Sequence, residues 1–349
     1  MFLLAPPQAP PRAFQSCPPP SPHPAGFPFL AAAARQLPPP HGAVPYCNDG
    51  VAGAGHHAAA PPVIGLQIRP VTAANYEAEL DLIAALLPRY PVVAVDTEYP
   101  GTVHRPPPGR SERGLAPPAR YELVKANVDE LPVVQLGITL CDEHGNLPVA
   151  VDGGRRPQEL AWEVTFSDFD ARRGRHAPES VAFLCSQGLD LDLARARGVS
   201  SAAFAAKLAA VLSSTAAARC QQLTWVAFGG AYDLAYLAKM LFGGKPLPAT
   251  WHEFMAEVKD LLRGKVFDAK YMAEHSGRAD MFTGGLRGVA ACLGAPPIYP
   301  AGAPFLAGAK SHTACRIYTT MRRHFNGALE KSNDQDCIDC FDRLIDGFH

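Results

Sequence analysis

The sequence has no excess of either charge: 32 Lys and Arg stand against 33 Asp and Glu, for a formal net charge of −1. That excludes a generally basic nucleic-acid coat, so any RNA contact has to come from a local patch or through metal. An apolar run long enough to cross a membrane is also missing, which predicts no membrane partner. The opening "MFLLAPP" is too short for the apolar core of a signal peptide and has no basic stretch before it. The nine cysteines are odd in number and lack framework spacing, as expected in a reducing compartment. Cys337-x-x-Cys340 is the one close pair, and no second Cys or Cys/His pair stands at zinc-finger spacing. These absences predict a soluble intracellular protein.

Residues 1–62 are dominated by Pro, Ala, Gly and His with almost no acids. Proline fixes its own φ and lacks the amide donor, so this tract is expected to be a disordered or polyproline-like tail. From Val63 the texture changes. "VIGLQIRPV" alternates like a strand, and the helical spacing after it starts from Thr72 as N-cap and closes at Pro88. A second helix is expected around Ala119 to Val128 and a strand from Val133 to Cys141, which "EHGN" turns into a hairpin. "APESVAFLCSQG" and "SSAAFAAKLAAVLSSTA" read as helices; Leu223 to Phe228 reads as a strand, followed by a Gly-Gly turn and a helix ending at Gly243-Gly244. "VFDAKYMAEH", "GGLRGVAACLGA" and "SHTACRIYTTMRRHFNGAL" read as three more helical segments. Strands followed by helices predict an α/β domain with a mixed sheet.

One strand carries an anomaly. "VVAVDTEYPG" sets Asp96 and Glu98 two positions apart at the end of an apolar β-branched run. Residues i and i+2 of a strand share a face, so the two carboxylates project side by side. They repel unless something positive lies between them, and a divalent cation with oxygen ligands is one answer. A solvated strand end is the other. Asp233, early in the helix after "WVAFGGAY", is by itself an ordinary capping or solvated acid. Beside Asp96 and Glu98 it would extend a carboxylate cluster of the kind that two-metal phosphoryl chemistry uses.

"VVAVDTEYPGTVHRP", "YELVKANVDELPVVQLGITLCDEHGN", "WEVTF", "LTWVAFGGAYDLAYLAKML", "VFDAKY" and "GGLRGVAACL" resemble, in order and spacing, the Caf/Pop-type deadenylases, the catalytic subunits of the CCR-NOT complex. The likeness runs from about Gly65 to about Phe325 and is greatest to plant members with long variable N-termini. It implies an RNase-H-like mixed β-sheet flanked by α-helices over residues 63–325, with residues 326–349 as a divergent tail. It also implies a DEDD-class 3′-to-5′ exoribonuclease that removes adenosines from poly(A) RNA using two divalent metals, Mg²⁺ or Mn²⁺. A NOT scaffold protein and a second deadenylase subunit follow as partners, and cytoplasm and nucleus as location. By position, Asp96 and Glu98 match the first exonuclease motif and Asp233 the second, as catalytic residues and metal ligands.

The third motif departs from the pattern. In the family it has the form H-x-A-G-x-D-S, with the His as candidate base and the Asp as last metal ligand; here the text is "FLAGAKS". Phe305 replaces the His and Lys310 the Asp, while Ala307, Gly308 and Ser311 keep the frame. Phenylalanine cannot take a proton from water, and Lys310 brings a cation to a place meant for one, which would reduce a two-metal site to one. Two expectations follow: an exoribonuclease in which the Lys310 ammonium stands in for a metal, or a catalytically impaired homologue that binds within or competes for the deadenylase complex. His312 and His275 are the candidate substitute bases, although His312 should face elsewhere. Trp225 and Phe228 read as core, and Arg172, Arg173 and Arg175 as solvated turn residues with a possible phosphate contact.

Overall fold

The computed structural model describes residues 65–150, 157–218, 222–278, 281, 285–295, 303–329 and 338–348. The expected tail over residues 1–62 lies outside them. Strand β1 (Leu66–Val71) leads through helix α1 (Tyr76–Leu86) to β2 (Val92–Glu98), and α2 (Pro117–Glu130) then leads to β3 (Gln135–Cys141), β4 (Val149–Ala150) and β5 (Gln158–Thr165). Three helices follow, α3 (Pro178–Ser186), α4 (Leu191–Arg197) and α5 (Ser201–Ala218), before β6 (Thr224–Ala227), α6 (Ala231–Leu241), α7 (Trp251–Leu262) and β7 (Lys265–Asp268). The last helices are α8 (Ala269–Glu274), α9 (Leu286–Cys292) and α10 (Ala307–Leu329).

The strands form one mixed sheet in the order β1-β5-β3-β2-β6-β7, with β4 paired to β5. β3 runs antiparallel to both β2 and β5, whereas β1–β5, β2–β6 and β6–β7 are parallel. Side-chain alternation divides β2 between two cores. Val93 and Val95 join Leu136, Ile138 and Trp162 against residues of α1, α5 and α6, including Leu80, Phe204 and Leu237. Val92 and Ala94 face the other way, onto Cys315, Ile317, Tyr318 and Met321 of α10. By the same alternation Asp96 and Glu98 lie on the α10 face and Thr97 on the opposite one.

Several local expectations change. The turn after β3 forms, but β4 pairs with β5 and it is β5 that returns alongside β3. α1 begins after Asn75, whose Oδ1 accepts the Thr72 N–H at 2.8 Å, so Thr72 sits before the cap. "VFD" is a strand, because Val266 and Phe267 are buried and pair along β6; Asp268 then caps α8 by accepting from the Lys270 and Tyr271 amides. α7 escaped the periodicity reading, although its capping box is local: Thr250 accepts from the Glu253 amide and Glu253 from the Thr250 amide. α10 starts at Ala307, four residues earlier than expected, which places Lys310 in its first turn.

The C-terminal segment is not a trailing tail where it is described. Ile345 is fully buried, and the Phe348 ring stacks on Trp251 with centroids 4.0 Å apart. The Arg343 amide donates to the Val266 carbonyl at 2.7 Å and Asp342 Oδ1 accepts from the Val266 amide at 2.9 Å, so this segment satisfies the outer edge of β7. Its partners lie about 80 to 100 positions away in sequence, beyond the reach of any local pattern.

Candidate active-site cleft

The cleft opens at the C-terminal ends of β2 and β6, where α6 begins. Asp96, Glu98, Asp233 and Lys310 all line it, with Tyr99, Phe183, Phe228, Gly229 and Tyr232, around a volume of about 530 Å³. The structure therefore gathers the three acids and the lysine of the degenerate motif in one place. Phe305 is not among the lining residues; its ring lies buried beneath the Arg287 guanidinium, 4.0 Å from the centroid.

Each acid is placed by a different device. Asp96 and Glu98 are aligned by the pleat of β2. Asp233 comes from the first turn of α6, where its Oδ1 accepts both the Thr97 amide at 2.7 Å and the Thr97 hydroxyl at 2.6 Å. Thr97, lying between the two strand acids, thus locks the helix acid beside them. Lys310 reaches the cleft because α10 lies directly on the sheet. A Cβ at Gly137 would lie 1.9 Å from the Ala307 carbonyl oxygen, so only glycine at this position of β3 admits the helix end. From there the Lys310 Nζ sits 2.6 Å from Glu98 Oε1.

A fourth carboxylate belongs to the site that the motifs did not single out. Register aligns Asp96 with Gly137 and Gly137 with Glu163, so Glu163 of β5 shares a row with Asp96 across three strands. It accepts the Gly308 amide at 3.0 Å and the Gln135 amide group at 3.3 Å, which tethers the start of α10. The available signal was the one that marked Asp96, an acid inside an apolar strand, here "LAWEVT". Asp268 also acts from outside the motifs, as it accepts from the Gly229 and Gly230 amides and shapes the turn before Asp233.

The electrostatics divide the cleft. Burial and then the Asp233 charge push the Asp96 carboxyl well above the usual carboxylate range, and Asp96 Oδ2 is shielded from water with no hydrogen-bond partner. Burial pushes Asp233 up to about 7, against the hydrogen bonds from Thr97. Glu98 is also raised by burial, but Lys310 opposes the shift. Burial disfavours the Lys310 ammonium, yet Asp96 and Glu98 together raise its pKa, so it remains a cation. The pair is a largely buried ion bridge beside two carboxyls whose ionisation burial disfavours.

The substitute bases do not enter the cleft. His312 Nε2 lies 2.7 Å from Glu159 Oε2 inside the core, so it faces away from Lys310's side of the helix. His275 stacks on Tyr271, and its Nδ1 lies 2.8 Å from that residue's carbonyl. Arg172 pairs with Asp192 and Arg175 with Glu130, both in exposed positions. Trp225 is core, whereas Phe228 also lines the cleft.

Comparison with known proteins decides the family. The CAF1 family ribonuclease profile matches residues 71–214 and 211–291. This chain belongs to the CAF1 family ribonucleases. Poly(A) ribonuclease pop2 of Schizosaccharomyces pombe is 32% identical over 264 residues, 75% of this chain and 72% of that protein. Probable CCR4-associated factor 1 homolog 7 of Arabidopsis thaliana is 32% identical over 267 residues, 76% of this chain and 90% of that protein. Among solved structures, S. pombe Pop2p in its Mg²⁺- and Mn²⁺-bound form aligns with a TM-score of 0.63 at 30% identity, covering 80% of this chain and 99% of the other. The fold is therefore the RNase-H-like α/β architecture of CAF1 ribonucleases. The family match includes Asp96, Glu98, Glu163 and Asp233 and ends before Phe305 and Lys310.

Proposed function

We propose that this chain is a 3′-to-5′ exoribonuclease acting on poly(A) RNA in a CCR-NOT-type assembly, with a single divalent ion and the Lys310 ammonium in place of two ions. The observation that carries this reading is the 2.6 Å contact between Lys310 Nζ and Glu98 inside the cleft that also holds Asp96 and Asp233. The donor set fits one ion. Asp96 Oδ2 is shielded and without a partner, and burial and Asp233 both oppose its ionisation, so a cation held between the two acids would favour their charged forms. Two carboxylates, completed by water and phosphate oxygens, are a common way for a protein to hold Mg²⁺. A second dication on Glu98 would meet the Lys310 ammonium and be repelled. Among the described residues no three Asp, Glu, His or Cys side chains form a metal cage by themselves.

When bound, such an ion lowers the pKa of attacking water and neutralises charge on the phosphate. The chain's own groups supply the rest. Asp96 and Asp233 hold the ion's place, Thr97 orients Asp233, and Lys310 offers its charge to a phosphate oxygen. No imidazole lines the cleft among the described residues, so a histidine base is missing there; general-base assistance is worth about 10²–10⁴ in rate. That same lack favours the second reading, a binding or competitor subunit without hydrolysis. Membership of the CAF1 family supports poly(A) RNA, a NOT scaffold and a second deadenylase subunit as partners, and we propose cytoplasm and nucleus as the compartments of that assembly. A chain of the solved complex of the yeast NOT1 MIF4G domain with CAF1 shares this fold, at 22% identity and a TM-score of 0.60.

The test is deadenylation of a 5′-labelled RNA ending in adenosines, by the full chain in Mg²⁺ and in Mn²⁺. Asp96→Ala is the blank, and Phe305→His with Lys310→Asp the restored control. A ladder from the wild type, about 10²–10⁴ slower than that of the double variant, is expected. A ladder from the double variant alone would remove the hydrolytic reading and leave the binding subunit.

A further inference from the structure

Three large hydrophobic side chains are exposed among the described residues, Val149, Phe183 and Leu193, and Phe183 is the aromatic one. It is 53% exposed, and of the three it alone lines the cleft of Asp96, Glu98, Asp233 and Lys310. Glu179, Ser180, Phe183 and Leu184 fall on one side of α3 and all border that cleft. A phenyl ring left in water at the mouth of a polar, charged cleft gains nothing for the fold, since its neighbour Leu184 already anchors the helix against Val134, Phe169 and Leu306.

The helix is also fixed relative to the acidic strand. The Ala177 amide at its start donates to the Pro100 carbonyl at 2.8 Å, two residues past Glu98. Gly101 has φ +83°, and a Cβ there would lie 2.4 Å from the Ser180 hydroxyl and 2.6 Å from the Ala177 Cβ. The loop after β2 and the first turn of α3 are therefore in contact at a position that excludes a side chain. Arg105, on the same loop, pairs with Glu179. Phe183 is held as a platform at a set place beside the carboxylates.

Resting on the reading of the cleft as an RNA 3′-end site, we infer that Phe183 stacks on a nucleobase and confers preference for purines. A nucleotide presents the two chemistries that the cleft separates. Its phosphate suits Lys310 and an ion on Asp96 and Asp233, and its base suits an exposed ring at the rim. The cleft volume of about 530 Å³ is within the usual range for small-ligand sites. Aromatic–base stacking is available to every base, and the two-ring face of a purine removes more apolar area of the exposed phenyl ring from water.

The test uses the full chain with Ca²⁺ replacing Mg²⁺ to hold back cleavage. Oligo(A) and oligo(U) carrying a 5′ dye are compared by anisotropy, and oligo(A) ending in 2-aminopurine is followed by fluorescence, each with the wild type, Phe183→Ala and Phe183→Trp. Circular dichroism melts check that the variants fold. Wild-type protein should quench the terminal 2-aminopurine and prefer oligo(A). Phe183→Ala should lose the quenching and bind oligo(A) about 5- to 150-fold more weakly, with a smaller loss for oligo(U), and Phe183→Trp should restore both. Unchanged binding and quenching in Phe183→Ala, or equal losses for the two RNAs, would overturn the assignment while leaving the RNA-site reading intact. Wild-type protein that binds neither RNA would overturn both.

Discussion

Helix α10 lies over two buried carboxylate sites on one face of the sheet and treats them in opposite ways. At Glu159 of β5 it supplies two partners, with His312 Nε2 2.7 Å from one oxygen and Arg316 Nη1 3.1 Å from the other. Burial would raise the Glu159 pKa, but the His312 hydrogen bond and the Arg316 charge more than offset it, and the group stays below its ordinary value. At the cleft the same helix brings Lys310 to Glu98 and leaves Asp96 Oδ2 shielded without a partner. Buried polar groups are normally satisfied, and a carboxylate left hungry marks a place where something else binds. The first site is part of how α10 is attached. The second site is left short of partners, and it is there that the proposed ion and phosphate would bind.

The sharpest way to break this contrast is Lys310→Asp without metal. It removes the one cation and adds an acid, with an expected loss of about 3–5 kcal/mol at pH 8, measured by urea unfolding. Because Asp96, Glu98 and Asp233 have folded-state pKa values above their ordinary ones, their contribution to stability falls as pH rises from the unfolded carboxylate value, near 4, towards the folded values, which for Asp233 is about 7. Lowering the pH to 5 should therefore recover most of the loss, and so should Mn²⁺. A deficit that ignores both would show that Lys310 does not neutralise the cleft.

His312→Ala should cost about 3 kcal/mol at pH 7, by leaving Glu159 without one buried partner, and leave RNA affinity unchanged. The pH sign is the reverse of that in the cleft. A depressed carboxylate pKa stabilises the fold above the unfolded value, near 4.5, and that contribution is lost as the pH falls through the folded value. The gap between wild type and variant should therefore close below about pH 4, and a gap that widened there would contradict the assignment.

Asp233→Asn gives a smaller effect of opposite direction. With its folded pKa at about 7, the charged form of Asp233 weakens the fold between about pH 4 and 7. The amide should then stabilise the metal-free protein at pH 8, by less than the Lys310 change costs, and by nothing at pH 4, while abolishing ion-dependent cleavage. Arg172→Ala marks the lower end, since the pair with Asp192 is exposed; no measurable change in thermal midpoint or RNA affinity is expected.

Much of the cleft was legible because its signals are local. Asp96 and Glu98 lie at i and i+2 in an apolar run, Asp233 stands one turn into a helix after a Gly-Gly break, and Phe305 and Lys310 are visible as departures inside an intact frame. Glu163 was overlooked because its membership depends on the row Asp96–Gly137–Glu163, which joins residues from three strands through their register. The packing of residues 338–348 was missed for a related reason. Val266 and Trp251 cannot be recognised as partners of Asp342 and Phe348 from any periodicity.

By itself, the sequence determined which chemical groups are available: three motif acids, no histidine at 305 and an ammonium at 310, along with the alternation that puts Asp96 and Glu98 on one face. Only the tertiary structure decided where those groups meet. Gly137 lets α10 rest on the sheet, that contact carries Lys310 to Glu98, and Asp96 is left without a protein cation of its own. The physical reason is that covalent neighbours set spacing along the chain, whereas charge neutralisation in a cleft depends on distances across strands and helices that only packing sets.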